Sequence, residues 1–423
     1  MTRPVWLATG VRTPFARVDG GLAGRDAIEL GVPVLQAMGE RVKGRIDSSV
    51  WGSVIPSLLY SNLARETWLE AGLDPTVPTS TAIMQCSTSM VAAFDLAGRI
   101  GRGVGELGLA GGAESMTHVQ VGLTQPLSDW LRRITQARDW KRRAEIASDL
   151  PAHDIALHLQ AIKNRTTGKS MGEHSEETAQ QWSIGREEQD RVALDSHLHA
   201  VAAQDRGFFN DLIVPVDNVG KDAFPRRDSS MEALAKLKPV FDRTSGRGTA
   251  TAGNSSPLTD GAAAIWVASE AGLARIPSST PRARLVDFEL GAVDIKTEGL
   301  LMAPAYVIPR LLARNGLRYG DIALWEIHEA FAGQVLYQLK ALETPSWVRE
   351  KAGVDVEMGV IDRGKINPNG GSVALGHPFG ATGARILSQA VKELAAMGAW
   401  AKGVVSICAD GGVGTVALIE VSG

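Results

Sequence analysis

The chain holds just two cysteines in 423 residues, Cys86 and Cys408, and both stand where a thiol can react. Cys86 lies in Gln85-Cys86-Ser87-Thr88-Ser89-Met90, between an apolar run and a helical pattern. The positive end of a helix favours a thiolate, and a thiolate is the nucleophile that covalent acyl transfer needs. The same position also suits a buried structural cysteine, since free cysteine often packs as a small apolar side chain. Cys408 follows Gly403-Val404-Val405-Ser406-Ile407 and precedes Ala409-Asp410-Gly411-Gly412. That is the C-terminal end of an expected strand, where open α/β sheets carry their sites. By itself it reads equally as a core residue. His377 sits in the glycine-dense stretch Gly370-Gly371-Ser372-Val373-Ala374-Leu375-Gly376-His377-Pro378. Glycines there let backbone approach a ligand, so a site histidine fits better than one on a surface loop. His328 is expected to open a helix whose apolar stripe is Phe331, Val335, Leu339 and Leu342, and a satisfied core histidine is the competing reading. No C-x-x-C, H-E-x-x-H or Walker loop occurs, so neither a metal nor a nucleotide cofactor is expected.

The elements that must position these groups alternate. Val5–Thr9, Val50–Val54, Thr81–Met84 and Leu107–Ala110 read as buried strands. Met90–Ile100 reads as a helix with Met90, Ala93, Phe94, Ala97 and Ile100 on one face. Strands alternating with helices predict a layered α/β fold. Residues 120–245 read differently, as mostly helical and charged; Arg186–Arg206 opens with acids and stops at Gly207, as a helix should. After Leu285 the alternation returns. Each flank of the insertion follows loop, helix, strand, glycine pair, with Gly111-Gly112 in one and Gly411-Gly412 in the other. This order points to an internal duplication. The expected division is 1–119 completed by about 246–282, an inserted segment 120–245, and a second half 283–423.

Composition narrows the class. With 44% hydrophobic and 22% charged residues the chain is neither disordered nor fibrous. A net charge of −3 supplies no basic field for nucleic acid. Two cysteines make no disulfide framework and suit a reducing compartment, so the cytoplasm is the default expectation. No apolar run long enough for a membrane span is present in the sequence.

Taken together, these residues resemble the thiolase family. The likeness runs through Arg12-Thr13-Pro14-Phe15, the Cys86 loop, Gly111-Gly112-Ala113-Glu114-Ser115-Met116 and Arg186-Glu187-Glu188-Gln189-Asp190. It continues through Lys238-Pro239-Val240-Phe241, Thr251-Ala252-Gly253-Asn254-Ser255-Ser256, His328-Glu329-Ala330-Phe331, Gly376-His377-Pro378 and the Cys408 loop. Each motif is weak; their order and spacing together are specific. His328, where many thiolases carry asparagine, and Leu300-Leu301-Met302-Ala303-Pro304 resemble the β subunits of fatty-acid oxidation complexes.

The resemblance implies the thiolase fold: two similar α/β halves stacked in a five-layer αβαβα arrangement, with an inserted, mainly helical loop domain. It implies CoA-dependent cleavage of 3-ketoacyl-CoA in fatty-acid β-oxidation through an acyl-cysteine on Cys86, with coenzyme A as substrate and no cofactor. His377 would take the thiol proton, Cys408 would protonate the enolate carbon, and a water held at His328 would join His377 around the enolate oxygen. Backbone N–H groups of Cys86 and Asp410 would hold the tetrahedral oxyanion. Ser256, Phe331, Met171 and Ala252 would meet CoA. A homodimer or dimer of dimers is implied, with a hydratase/dehydrogenase α subunit as a further partner. A biosynthetic acetoacetyl-CoA thiolase, a β-ketoacyl synthase and a silent lipid carrier or complex scaffold are the rival readings. Cys408 argues against the synthase, and the full set of four side chains argues against the scaffold.

This chain departs from the family in the loop Ser87-Thr88-Ser89, in the run Met116-Thr117-His118, and at Asp410, whose carboxylate would oppose a nearby thiolate. Separately, Leu123–Leu150 carries Trp130, Leu131, Ile134 and Trp140 among Arg132, Arg133, Arg138, Lys141, Arg142 and Arg143. A basic amphipathic stretch of this kind suits a partner or an anionic membrane surface; a solvated helix packed on its own domain is the plainer alternative.

Overall fold

The computed structural model describes residues 3–158 and 163–423. Residues 159–162, part of the expected insertion, lie outside it. The apolar runs form strands bounded by turns: β1 Trp6–Ala8, β2 Ser48–Gly52, β3 Thr79–Thr81 and β4 Leu107–Glu114. β4 is buried at every residue, as a strand covered on both faces must be. The run Thr81–Met84 departs from expectation. Only Thr81 belongs to β3, because the chain leaves the sheet: Met84 N–H donates to Thr88 Oγ1 at 2.9 Å.

The second set of strands is β5 Thr259–Ala268, β6 Arg282–Ala292, β7 Leu324–Ile327, β8 Lys402–Ala409 and β9 Val413–Glu420. The sheet runs β3-β2-β4-β5-β1 and continues β6-β9-β8-β7. β2 is parallel to β3 and β4, and β4, β5 and β1 pair antiparallel. The other half repeats this: β7 is parallel to β8, and β8, β9 and β6 pair antiparallel. A single parallel bridge between Trp325 and Ile366 stands where β3 stands in the first half. The two halves therefore share one strand order, and β1 pairs with β6 where they join.

Helices α1 Ala27–Gly39, α2 Leu63–Glu70 and α3 Thr88–Gly101 belong to the first half. The insertion supplies α4 Gln125–Gln136, α5 Trp140–Ala147, α6 Met171–Gln181 and α7 Arg186–Asp205. The second half adds α8 Ala303–Arg314, α9 Ala332–Leu342 and α10 Thr382–Met397. α3 and α10 pack on each other and on strands of both halves. Their shared core joins Met90, Phe94, Ala97 and Ile100 to Leu387, Val391 and Leu394, with Ile265, Val267, Val405 and Ile407 from the two sheet halves. Removing each such large side chain from water contributes about 1.5–3 kcal/mol. α1 and α2 cover the far face of one half, and α8 and α9 the far face of the other. The layers thus run helix, sheet, helix, sheet, helix.

One glycine is needed for the central crossing. A Cβ on Gly383 would stand 2.3 Å from the backbone nitrogen of Met90, so only glycine lets the start of α10 approach the start of α3 this closely. α7 ends before Gly207, whose φ is +74°. It packs on α9 and on the short helix Ser372–Leu375 that leads to His377.

Candidate active site

Cys86 occupies a 3-10 turn, Gln85–Ser87, that feeds directly into α3. Gln85 takes a left-handed φ of +45°, uncommon for a residue with a side chain. Thr88 braces the turn by donating to Gln85 O at 2.8 Å. The thiol ends up 2% exposed, under α10. This burial corrects one expectation. Loss of water, followed by the negative charge of Asp410, pushes the Cys86 thiol up to about 12. The backbone N–H groups of Cys86 and Asp410 bond to the sulfur and offset only part of that. The resting group is a thiol, and attack requires a base.

His377 supplies one. Its Nε2 lies 3.1 Å from Cys86 Sγ. Its Nδ1 lies 2.6 Å from Thr382 Oγ1, and that hydroxyl donates to Pro378 O at 2.9 Å. A carbonyl only accepts, so the one threonine proton goes to Pro378. Thr382 Oγ1 must then accept from Nδ1–H, which leaves Nε2 unprotonated and facing the thiol. Burial, with Arg385 adding to it, pushes the imidazole down to about 3. A neutral thiol therefore faces a neutral base.

His328 does not open a helix as expected. It extends the line of β7, its N–H donating to Ser406 O at 2.9 Å, and Phe331 is the residue that caps α9. Its ring centroid stands 4.2 Å from that of His377. A donor atom from each of Cys86, His328 and His377 falls within 4.8 Å of the others. Cys408 is the next-to-last residue of β8, at the strand's C-terminal end as expected, opposite Gly414 of β9. It is 1% exposed. Burial and then the nearby Cys86 hold its thiol well above the usual range. Chain positions hundreds of residues apart thus meet around one sulfur.

The comparisons with known proteins are in accord. A family model described as "Thiolase, N-terminal domain" matches residues 5–271, and one described as "Thiolase, C-terminal domain" matches 279–421. The chain belongs to the thiolase family. A 3-ketoacyl-CoA thiolase of Yersinia enterocolitica is 35% identical over 98% of this chain and 96% of its own length. One of Pectobacterium carotovorum is 36% identical with the same coverage. Among solved structures, an acetyl-CoA acetyltransferase from Syntrophomonas wolfei superposes with a TM-score of 0.80 at 31% identity, covering 99% of this chain and 100% of that one. A thiolase from Ascaris suum in complex with coenzyme A gives 0.81 at 28% identity, with the same coverage.

In this thiolase the four residues expected to meet CoA fall in two places. Ser255 forms an antiparallel bridge with Phe331, and Ser256 N–H donates to Ala330 O at 3.0 Å, so Ser256 and Phe331 lie on adjoining backbone. The Phe331 ring meets Phe241 edge-on at 5.7 Å. Met171 starts α6 and packs against the central core shared by α3 and α10 and against the core of the second half. Ala252 instead lines a cavity of about 300 Å³ with Arg17, His197, Phe224, Arg226 and Ser255.

Sequence reasoning missed several residues here. Arg17, on the short strand Ala16–Arg17, and Arg226, on a loop, bring positive charge to that cavity, which Asp228 also lines. Thr382 and Ser372 hold the two imidazoles. The available signal was slight: each is a hydroxyl five residues from His377, on opposite sides.

Proposed function

We propose that this thiolase is a 3-ketoacyl-CoA thiolase, an acetyl-CoA C-acyltransferase of fatty-acid β-oxidation. The observation that carries the reading is the 3.1 Å contact between His377 Nε2 and Cys86 Sγ, with a second thiol close by. His377 Nε2 takes the Cys86 proton as the sulfur adds to the 3-keto carbon. The N–H groups of Cys86 and Asp410 then hold the new oxyanion, in the kind of preorganised site that usually contributes most to catalysis. The C2–C3 bond breaks, its electron pair passing to the enolate of acetyl-CoA. His377 and His328 flank the enolate oxygen. Cys408 S–H protonates the enolate carbon. CoA gives its thiol proton to Cys408 and takes the acyl group from Cys86, which recovers its proton from His377.

CoA is the substrate, and the cavity with Arg17 and Arg226 suits its phosphates. The test is CoA-dependent cleavage of 3-ketoacyl-CoAs of several chain lengths, with Cys86→Ala as control. Absence of cleavage at every length by folded wild type overturns the proposal. The likeness to acetyl-CoA acetyltransferase structures favours one alternative, a biosynthetic acetoacetyl-CoA thiolase. Activity confined to the shortest substrate would select it.

The reading includes a cytoplasmic homodimer or dimer of dimers, a two-half body with 120–245 as the covering insertion, and an α-subunit partner. No helix among the described residues is long and apolar enough to cross a membrane. A peripheral surface through 123–150 is supported by Trp140, 74% exposed beside Lys141. It is weakened by ion pairing of Arg132, Arg133 and Arg142 to Asp129, Asp149 and Glu145. Binding neither to anionic vesicles nor to a hydratase/dehydrogenase subunit would remove it.

A further inference from the structure

The two site imidazoles are each held by a hydroxyl, but the proton count differs between them. Ser372 Oγ lies 2.8 Å from His328 Nδ1. Its other contact is Arg385 Nη2 at 2.7 Å. A guanidinium only donates, so Ser372 Oγ accepts there and keeps its own proton to give. Ser372 is fully buried, and a buried donor needs an acceptor. Nδ1 of His328 is the acceptor in reach. The proton of a neutral His328 must then sit on Nε2, a buried atom with no partner among the described residues. Burial, His377 and Arg385 keep the ring neutral. At His377 the arrangement is reversed, because Thr382 gives its proton to Pro378 O instead.

We infer that Arg385 and Ser372 are positioning residues that lock His328 as its Nε2–H tautomer. His328 thereby becomes a fixed hydrogen-bond donor beside the fixed acceptor His377. Arg385 lies three residues after Thr382 on α10, so both occupy one face of that helix. One helix therefore sets both tautomers in opposite senses. Burial draws the Arg385 guanidinium down to about 10, against which the nearby acids Glu326, Glu329 and Asp222 work, so at neutral pH it remains cationic and donating. The inference rests on the thiolase reading above, in which an enolate oxygen must be met by donors.

The direct test needs no variant at Ser372 or Arg385. In protein labelled with 15N-histidine, the imidazole resonances of His328 are assigned by their loss in His328→Asn. Protonated Nε2 with unprotonated Nδ1 is expected; a proton on Nδ1 overturns the inference. The kinetic test compares Ser372→Ala with wild type. Cleavage of a 3-ketoacyl-CoA is expected to fall on the order of 10–100-fold, as when an orienting partner is lost. Acylation of Cys86 by a simple acyl-CoA, which needs His377 rather than His328, is expected to stay within about twofold. Ser372→Thr, which keeps the hydroxyl, is expected to restore cleavage, and Arg385→Gln to act in the same direction as Ser372→Ala. Wild-type cleavage in folded Ser372→Ala overturns the inference, and so does equal loss of both half-reactions. Failure of wild type to cleave any 3-ketoacyl-CoA would instead remove the thiolase reading, while the 15N spectrum would still decide the tautomer.

Discussion

His377 Nε2 and Cys86 Sγ stand 3.1 Å apart although 291 positions of chain separate the two residues. Each is buried, and each is displaced toward its neutral form, the thiol up to about 12 and the imidazole down to about 3. The pair rests as thiol and imidazole, and the proton crosses only as the sulfur attacks.

This has a direct consequence for alkylation. A raised thiol value means that thiolate grows with pH throughout the neutral range. With His377→Ala removing the base, the iodoacetamide rate at Cys86, followed by mass spectrometry, is expected to rise about tenfold per pH unit from about pH 6 to 9. A flat profile across that range in the folded variant would mean that the thiol is already ionised at rest, contrary to the burial.

Asp410 is the largest charge-based contributor to the Cys86 shift, after burial itself. Removing its negative charge lowers the thiol value, so more thiolate exists at any given pH. Asp410→Asn is expected to speed Cys86 alkylation about 3–10-fold at neutral pH. An unchanged or slower rate in the folded variant would show that the carboxylate does not act on the sulfur.

Cys408 and Cys86 have separable tasks. Cys408→Ala is expected to retain acyl transfer from acyl-CoA to Cys86, read by mass spectrometry. Carbon–carbon cleavage is expected to fall by roughly 10²–10⁴, the range of a lost general acid. Loss of acyl labelling in a folded variant would contradict these roles.

Gly383 sets the spacing of α10 and α3. Gly383→Ala places a Cβ against Met90 backbone, which cannot rotate away. Destabilisation of about 1–3 kcal/mol is expected from overpacking, seen as a lower melting temperature together with lower activity. Gly98→Ala is the control. Its Cβ meets nothing within 4 Å, and alanine in mid-helix is expected to leave stability equal or raise it by up to about 1 kcal/mol.

Much of the fold was legible along the chain because its signals are local. The stripe Met90, Ala93, Phe94, Ala97 and Ile100 follows helical period, and every member is buried. The expected helix Arg186–Arg206 ends one residue earlier, before Gly207. His328 was misread because its decisive partner is not local. Its N–H completes a parallel ladder with Ser406, and no spacing near His328 announces that. Thr81–Met84 was misread for a related reason, since Thr88 draws Met84 out of the sheet.

What the sequence determined by itself was the cast of reactive side chains, the α/β alternation, the duplicated order and the family. These depend on residue type, period and motif order, all carried within short stretches of chain. What only the tertiary structure decided was protonation. Whether Cys86 is thiol or thiolate depends on how much water α10 excludes and on where the Asp410 carboxylate lies. Which nitrogen of each histidine carries the proton depends on where Thr382 and Ser372 send theirs, to Pro378 O and to His328 Nδ1. Desolvation and hydrogen-bond direction belong to distances in space, and along the chain those distances do not exist until the two halves close on α3 and α10.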